Sequence, residues 1–238
     1  MLCDQDDVWK KEKVEKSVEK LEKDNLDLVF GDLEIVDENL NTINKSYNKY
    51  RHFDKKIEKC CDSYKLQYLY NCITGCTLLS KKKFLPQILP LPTDSKYMIH
   101  DYWIGLVISL KGKIGYLNEP YILYRQHGNN QVGTTRASKK VQTLSELRNI
   151  SLDMRIGTFE TYINNEQIFP EVLKELNKQS IDYFKMLKTK KHINFKGWRT
   201  FYRLYKNETF SIFLKHFIVL NIPIILEPFY YFKSKIGH

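Results

Sequence analysis

The pattern of apolar and polar residues changes near residue 135, and this change constrains the fold more than any other feature of the sequence. Before it, short apolar runs such as 26–30 and 114–117 alternate with turns and amphipathic stretches, as in a mixed α/β domain. After it, helical patterns follow one another almost without interruption. We therefore predict an α/β domain over residues 1–135 and an all-α region over residues 136–238.

Hydrophobic periodicity predicts the individual elements. In residues 10–23, Val14, Val18 and Leu21 form the apolar face of an amphipathic helix, with Asp6 or Asp7 as its N-cap. The stretch 41–62 is predicted to be irregular. Strands are predicted at 26–30, 33–36 (as a continuation of the first), 73–79, 114–117 and 121–124. Further helices are predicted at 80–84, 101–110, 138–164, 170–188, 197–206 and 208–220.

Charge is distributed unevenly along the chain, which has a net charge of +10. Residues 1–60 carry 12 basic and 15 acidic side chains, whereas residues 171–238 carry 13 basic and 5 acidic ones. An acidic part suits a bound cation, and a basic part suits an anionic partner. We therefore expect different binding roles for the two ends of the chain.

The cysteines and the apolar runs indicate in which cellular compartment the chain is expected. Cysteines occur at positions 3, 60, 61, 72 and 76, without a CxxC pair or a histidine at zinc-site spacing. Because we recognise no secretory signal, we predict five free thiols in a reducing cytoplasm. We find no uncharged apolar run of the roughly 18–20 residues that a membrane-spanning helix needs.

Three carboxylates lie within four positions near the N-terminus, at Asp4, Asp6 and Asp7. Like charges this close repel one another, and a divalent cation with oxygen ligands removes that penalty. Acidic residues are also favoured at an ordinary helix N-terminus by the helix dipole. The local sequence leaves both interpretations open.

Two further polar motifs are candidates for chemistry. His100-Asp101 is followed by Trp103, so Asp101 is either the N-cap of an apolar helix or a general base beside a ring that stacks on a sugar. In the segment 124–130, Arg125 suits a phosphate and His127 suits a metal ion, although such a segment is also typical of a surface loop.

The motifs are more specific together than singly. In chain order they are Asp4-Gln-Asp6-Asp7-x-Trp9, Thr74-Gly75-Cys76, His100-Asp101-x-Trp103 and Tyr124-Arg125-x-His127-Gly-Asn-Asn130. With the stretch FGDLEIVDENLN at 30–41, this set resembles the C-terminal part of a bacterial family-2 glycosyltransferase of the rhamnosyltransferase-like kind. The resemblance covers about residues 1–135.

The resemblance implies a partial GT-A fold and roles for six residues. Asp4 and Asp6 would meet Mg²⁺ or Mn²⁺ and the donor diphosphate. Asp101 would deprotonate the acceptor hydroxyl in an inverting transfer. Gly75 would line the sugar pocket, His127 would contact the metal or diphosphate, and Arg125 would lie beside His127. Trp103 is predicted as a further substrate contact because an aromatic ring stacks on a sugar.

The resemblance also suggests partners and a location. The donor would be dTDP-rhamnose or a UDP-sugar, and the acceptor a glycan or a lipid-linked glycan of a surface polysaccharide. The protein would be cytoplasmic or peripheral at the inner face of the cell membrane. Family members have a nucleotide-binding part before the Asp-x-Asp motif that is lacking here, so an inactive truncated fragment is an alternative.

The C-terminal third allows three interpretations. Residues 185–206 interleave basic and aromatic side chains, and residues 210–232 are apolar but interrupted by charged residues and prolines. This pattern fits docking on an anionic bilayer. It also fits a helical subdomain with its own core, or a nucleic-acid-binding module, although no known nucleic-acid motif accompanies it.

Overall fold

The chain divides into two compact units. The computed structural model describes residues 1–51, 53, 54, 57, 61, 63–93, 97–126, 144–189, 195–206 and 210–221. Unit 1 comprises Met1–Pro92 and Met98–Arg136, and unit 2 comprises Thr93–Tyr97 and Ala137–His238. Each unit is described here by itself.

Within the described part of unit 1, seven short strands form two sheets. The strands are β1 (Val8–Trp9), β2 (Leu28–Gly31), β3 (Glu34–Val36), β4 (Thr42–Asn44), β5 (Leu79–Ser80), β6 (Ile114–Leu117) and β7 (Ile122–Arg125). One sheet has the order β1-β7-β3-β4, and the other has the order β5-β2-β6. The pairs β3–β7 and β2–β6 are parallel and the other pairs are antiparallel. Mixed sheets of this kind belong to an α/β fold.

Helices connect the strands of unit 1. They are α1 (Lys13–Lys23), α2 (Tyr47–Tyr50), α3 (Tyr64–Leu69), α4 (Leu85–Ile88) and α5 (His100–Lys111), with 3₁₀ turns at Gly75–Thr77 and Lys82–Phe84. Helix α5 is buried on almost all sides, because its sequence is apolar around the whole circumference. Leu106 and Val107 of this helix are completely buried, as are Leu28 and Phe30 of β2.

The secondary structure of unit 2, within its described residues, is helical. It contains α6 (Leu144–Asn164), α7 (Glu171–Thr189), α8 (Phe195–Tyr205) and α9 (Phe210–Asn221), and a 3₁₀ turn at Glu166–Ile168. Its core is aromatic, with fully buried rings at Phe159, Tyr162, Phe184, Phe201 and Tyr205. The predicted fold class, an α/β part of the GT-A kind followed by an all-α region, is therefore confirmed.

Helix α1 turns a different face to the core from the one that its apolar residues predict. Lys13, Ser17 and Leu21 are buried, whereas Val14 and Val18 are 49% and 37% exposed. The N-cap residue is Glu12, so the prediction of Asp6 or Asp7 as the cap is wrong. The reason lies at Lys13, whose contacts are described with the site below.

Three other local predictions are wrong in detail. Strands β2 and β3 lie in different sheets, so the second does not continue the first. The stretch predicted as irregular, 41–62, contains β4 and α2. The predicted strand 73–79 is largely the 3₁₀ turn at Gly75–Thr77, because β5 begins only at Leu79.

The cysteines also differ from the prediction. Cys72 is disulfide-bonded, so the expectation of five free thiols is wrong, although Cys3, Cys61 and Cys76 are free. None of the described helices combines the length and the hydrophobicity that crossing a bilayer requires.

Candidate active site

A cluster of potential ligand atoms forms where β1 meets the 3₁₀ turn at Gly75–Thr77. Antiparallel pairing aligns Val8 with Leu123 and brings the acidic segment before β1 alongside β7. Ligand atoms of Asp4, Asp7 and Cys76 lie within 4.8 Å of one another. The tertiary fold thus adds a thiol to two of the carboxylates that the sequence singled out.

The Asp7 carboxylate is in an unfavourable environment for a negative charge. Both of its oxygens are buried, and neither accepts a well-aligned hydrogen bond from the described residues. Burial raises the pKa of Asp7 to about 6, and the charges of Asp4 and Asp6 add to this, while the Cys76 thiol and the backbone of Arg125 partly oppose it. A buried carboxylate without partners is costly, and a bound cation would remove the cost.

The buried Lys13 supplies a positive charge beside this cluster. It is only 2% exposed, and its Nζ donates to the backbone oxygen of Cys76 at 2.9 Å. The same Nζ lies 3.2 Å from the centroid of the Trp9 ring, in a cation–π contact. Burial lowers the pKa of Lys13 to about 8, although the nearby acidic groups oppose this shift. These contacts explain why α1 turns Lys13 inward.

Both carboxylate oxygens of Asp101 accept hydrogen bonds. Oδ1 accepts hydrogen bonds from Asn71 Nδ2 at 3.0 Å and from the backbone N–H of Tyr102 at 2.6 Å, and Oδ2 accepts one from the backbone N–H of Gly75 at 3.0 Å. The residue is 7% exposed, and burial raises its pKa, while the charge of His100 and these hydrogen bonds oppose the rise. Because the N-cap of α5 is Ile99, Asp101 does not act as the cap.

Gly75 approaches Asp101 so closely that a side chain would not fit without a shift. A Cβ at this position would lie 2.9 Å from His100 Nε2 and 3.3 Å from Asp101 Cβ. Its neighbour Cys76 belongs to the acidic cluster. The turn at Gly75–Thr77 therefore contacts both the cluster and Asp101, and it brings the two predicted parts of the site together.

The other predicted site residues have different outcomes. Trp103 is 1% exposed and its indole N–H donates to the Ile88 backbone oxygen at 2.9 Å, so its ring has no face for a sugar, contrary to the prediction. Arg125 ends β7 and is half-buried. Asp6 does not belong to the three-ligand group and stays a predicted ligand. His127 lies outside the described residues.

Sequence reasoning missed several side chains of this site. Asn71 and Lys13 carry no local signal, since one is a single asparagine and the other is one of many lysines in a charged helix. Cys76 is part of the Thr74-Gly75-Cys76 motif and could have been suspected there. Its role as a cluster member depends on a contact between distant parts of the chain.

Comparison with known proteins gives three findings. Residues 1–85 match the family model described as glycosyl transferase family 2. Over 156 residues, the chain is 27% identical to the dTDP-rhamnosyl transferase RfbG of Shigella flexneri, a match that covers 62% of this chain and 50% of the relative. The chain therefore spans about half the length of this curated relative. No solved structure matches the chain.

Proposed function

We propose that this protein, whose residues 1–85 match glycosyl transferase family 2, transfers a sugar from a nucleoside-diphosphate donor to a glycan acceptor. The observation that carries the proposal is the turn at Gly75–Thr77, which contacts a buried carboxylate on one side and a candidate cation cluster on the other. Sugar transfer from such a donor needs both a base and a means to offset diphosphate charge. Within this proposal, residues 1–135 form the catalytic part and residues 136–238 a basic helical region.

Asp101 is the proposed base. Its Oδ1 already accepts two hydrogen bonds and its Oδ2 only one, so Oδ2 has the greater capacity to accept a proton from the acceptor hydroxyl. The hydroxyl oxygen forms a bond to the anomeric carbon, the bond from that carbon to the diphosphate breaks, and configuration inverts. Burial raises the pKa of Asp101, which makes its carboxylate a stronger base.

The acidic cluster fits a divalent cation, with Mg²⁺ or Mn²⁺ as the proposed ion. The fit rests on the two buried oxygens of Asp7, which accept no well-aligned hydrogen bond in the described part of the chain. Asp4 and Asp7 would hold the ion beside the Cys76 thiol, and Asp6 and His127 are further predicted ligands. When bound, the ion would offset the negative charge of the leaving nucleoside diphosphate.

The proposed donor and acceptor rest on the curated relative. Because that protein is named a dTDP-rhamnosyl transferase, dTDP-rhamnose is the first donor to test and UDP-sugars are the second. The proposed acceptor is a glycan or lipid-linked glycan of a surface polysaccharide. Gly75 and Arg125 are the proposed substrate contacts. Trp103 is not among them, because its ring is buried.

The test compares the protein with its Asp101→Asn variant. Release of nucleoside diphosphate is measured from dTDP-rhamnose and from UDP-sugars, with Mn²⁺ or with EDTA. If Asp101 is the base, the variant should lose on the order of 10²–10⁴-fold in rate with little change in donor affinity.

The control for this test is Asp24→Asn, which changes an exposed carboxylate that is ion-paired to Lys20 and should leave the rate unchanged. Equal rates for the Asp101→Asn variant and the unmodified protein would contradict the assignment of the base. A folded protein that releases nothing from any donor would support the alternative of an inactive fragment.

A further inference from the structure

Helix α8 presents an exposed aromatic face. Phe195 is 83% exposed, Tyr202 51% and Trp198 40%. These residues are spaced by three and four positions, so they lie on one side of the helix. The opposite side is buried and consists of Gly197, Thr200, Phe201, Leu204 and Tyr205.

Helix α8 is packed firmly within unit 2. The Trp198 ring stacks on Phe201 at 5.9 Å and meets the edge of Phe217 at 5.3 Å between centroids. Arg203 Nη1 donates to Gln179 Oε1 of α7 at 2.7 Å. The exposed aromatic face is therefore held in place by tertiary contacts.

Basic residues flank this face without acidic ones. Residues 195–206 contain four basic residues, at 196, 199, 203 and 206, and no acidic residue. In the described residues, no ion pair joins Lys196, Arg199 or Lys206 to a carboxylate. Large exposed aromatic rings are unfavourable in water and favour an apolar environment. Basic side chains without a described acidic partner favour a surface that carries anions.

The lysines of α7 provide a contrast within the same unit. Lys178 pairs with Glu166 at 3.7 Å, Lys185 with Glu160 at 2.9 Å, and Lys188 with Asp153. The α7 surface is therefore basic in sequence but balanced locally by acidic residues. Among the residues that the structure describes, the α8 surface has no such acidic partners, which distinguishes it from an ordinary solvated face.

We propose that the exposed face of α8 docks on an anionic lipid bilayer. Lys196, Arg199 and Lys206 contact lipid phosphates, and the rings of Phe195 and Tyr202 enter the interfacial region. The helix lies in the plane of the membrane surface, because its opposite side stays packed in unit 2. This inference uses no residue of the proposed active site and is independent of the proposed function.

The charge contribution is tested by co-sedimentation of the whole protein with vesicles. Vesicles of phosphatidylglycerol and phosphatidylcholine should bind the protein, and vesicles of phosphatidylcholine alone should bind it much less. The triple variant K196Q/R199Q/K206Q should bind anionic vesicles about tenfold to a hundredfold more weakly. The matched control K178Q/K185Q/K188Q removes the same net charge from ion-paired sites and should bind almost as the unmodified protein does.

The aromatic contribution is tested separately at high salt. Binding that remains in 0.5 M salt should fall in the variant F195S/Y202S, because burial of the rings is insensitive to screening. Both substitutions are at exposed positions, and circular dichroism verifies that the variants stay folded.

Three outcomes would overturn the proposal: no binding to anionic vesicles at low salt, an equal loss in the two charge variants, or submicromolar binding of random oligonucleotides in place of vesicles.

Discussion

At the scale of single residues, the site contains charges that the fold does not fully compensate. The two carboxylate oxygens of Asp7 are buried without a well-aligned hydrogen bond from the described residues, and the buried cation of Lys13 is engaged by the Cys76 backbone and the Trp9 ring. A chain selected only for stability would replace such a carboxylate with an uncharged residue. This arrangement supports the proposed cation at the cluster of Asp4, Asp7 and Cys76.

Asp7→Asn should stabilise the cation-free protein at neutral pH. The pKa of Asp7 is about 6 in the folded protein and 3.8 ordinarily, so between these values the folded state holds a proton that the unfolded state has lost. Stability contributed by this group therefore falls as pH rises from about 4 to 6. In EDTA, the variant should exceed the unmodified protein by about 1–3 kcal/mol in free energy of unfolding at pH 7.5, and by almost nothing near pH 4.

Urea denaturation at the two pH values provides the measurement. Asp24→Asn is the control, because the hydrogen bond from Lys20 lowers the pKa of the exposed Asp24. Removal of the Asp24 charge should therefore not stabilise the protein at pH 7.5. A variant Asp7→Asn that is less stable than the unmodified protein at pH 7.5 would show that the Asp7 charge is already compensated.

At the scale of elements, the short 3₁₀ turn at Gly75–Thr77 organises the site. It donates a hydrogen bond to Asp101 on α5 and provides the thiol that lies near Asp4 and Asp7. The position of this turn therefore determines how well the proposed base is oriented.

Gly75→Ala should impair the proposed reaction more than it impairs folding. The added Cβ would lie 2.9 Å from His100 Nε2 and 3.3 Å from Asp101 Cβ, so the His100 ring must rotate away and the spacing between Gly75 and Asp101 must widen by a few tenths of an ångström. Loss of alignment at the base should lower the rate of nucleoside diphosphate release on the order of tenfold to a hundredfold.

Gly31→Ala is the matched control for this prediction, since its added Cβ would meet nothing closer than 3.4 Å. The rate is measured together with the melting temperature of each variant. A Gly75→Ala protein with an unchanged rate would show that the turn does not orient Asp101.

At the scale of the whole molecule, the two units carry different chemistry. The candidate cation ligands and Asp101 are in unit 1, and the unbalanced basic surface of α8 is in unit 2. The net charges of residues 1–60 and 171–238 already differ in sign. The structure adds that the acidic residues of the first part converge with a distant cysteine, while the basic residues of α8 lie around exposed rings.

A bound cation should therefore stabilise unit 1 near the cluster more than it stabilises α8 in unit 2. A ligand that binds the folded state alone slows local opening at its site. With Mn²⁺, amide hydrogen exchange should slow around residues 1–9 and 75–77, and exchange in α8 should stay the same. The variant Asp4→Asn/Asp7→Asn should lose the effect, and exchange that slows equally in both units would contradict a site located in unit 1.

The sequence by itself determined the type and approximate place of most elements. Helix α5 was expected at 101–110 and spans His100–Lys111, and β6 was expected and found at Ile114–Leu117. The four helices of unit 2 lie within a few residues of their predicted positions wherever the chain is described, and residues 138–143, predicted as the start of α6, lie outside the described residues. These predictions succeed because periodicity and runs of apolar residues depend on neighbours along the chain.

Only the tertiary structure decided which side chains meet. The apolar pattern of α1 predicted that Val14 faces the core, but the contacts of Lys13 with Cys76 and Trp9 turn the other face inward. The tertiary fold likewise places Asp101 against Gly75 and Asn71, and buries Trp103 where the sequence suggested a sugar platform. Contacts between distant positions depend on strand pairing and on how turns pack against helices, and neither leaves a periodic signal in the residues themselves.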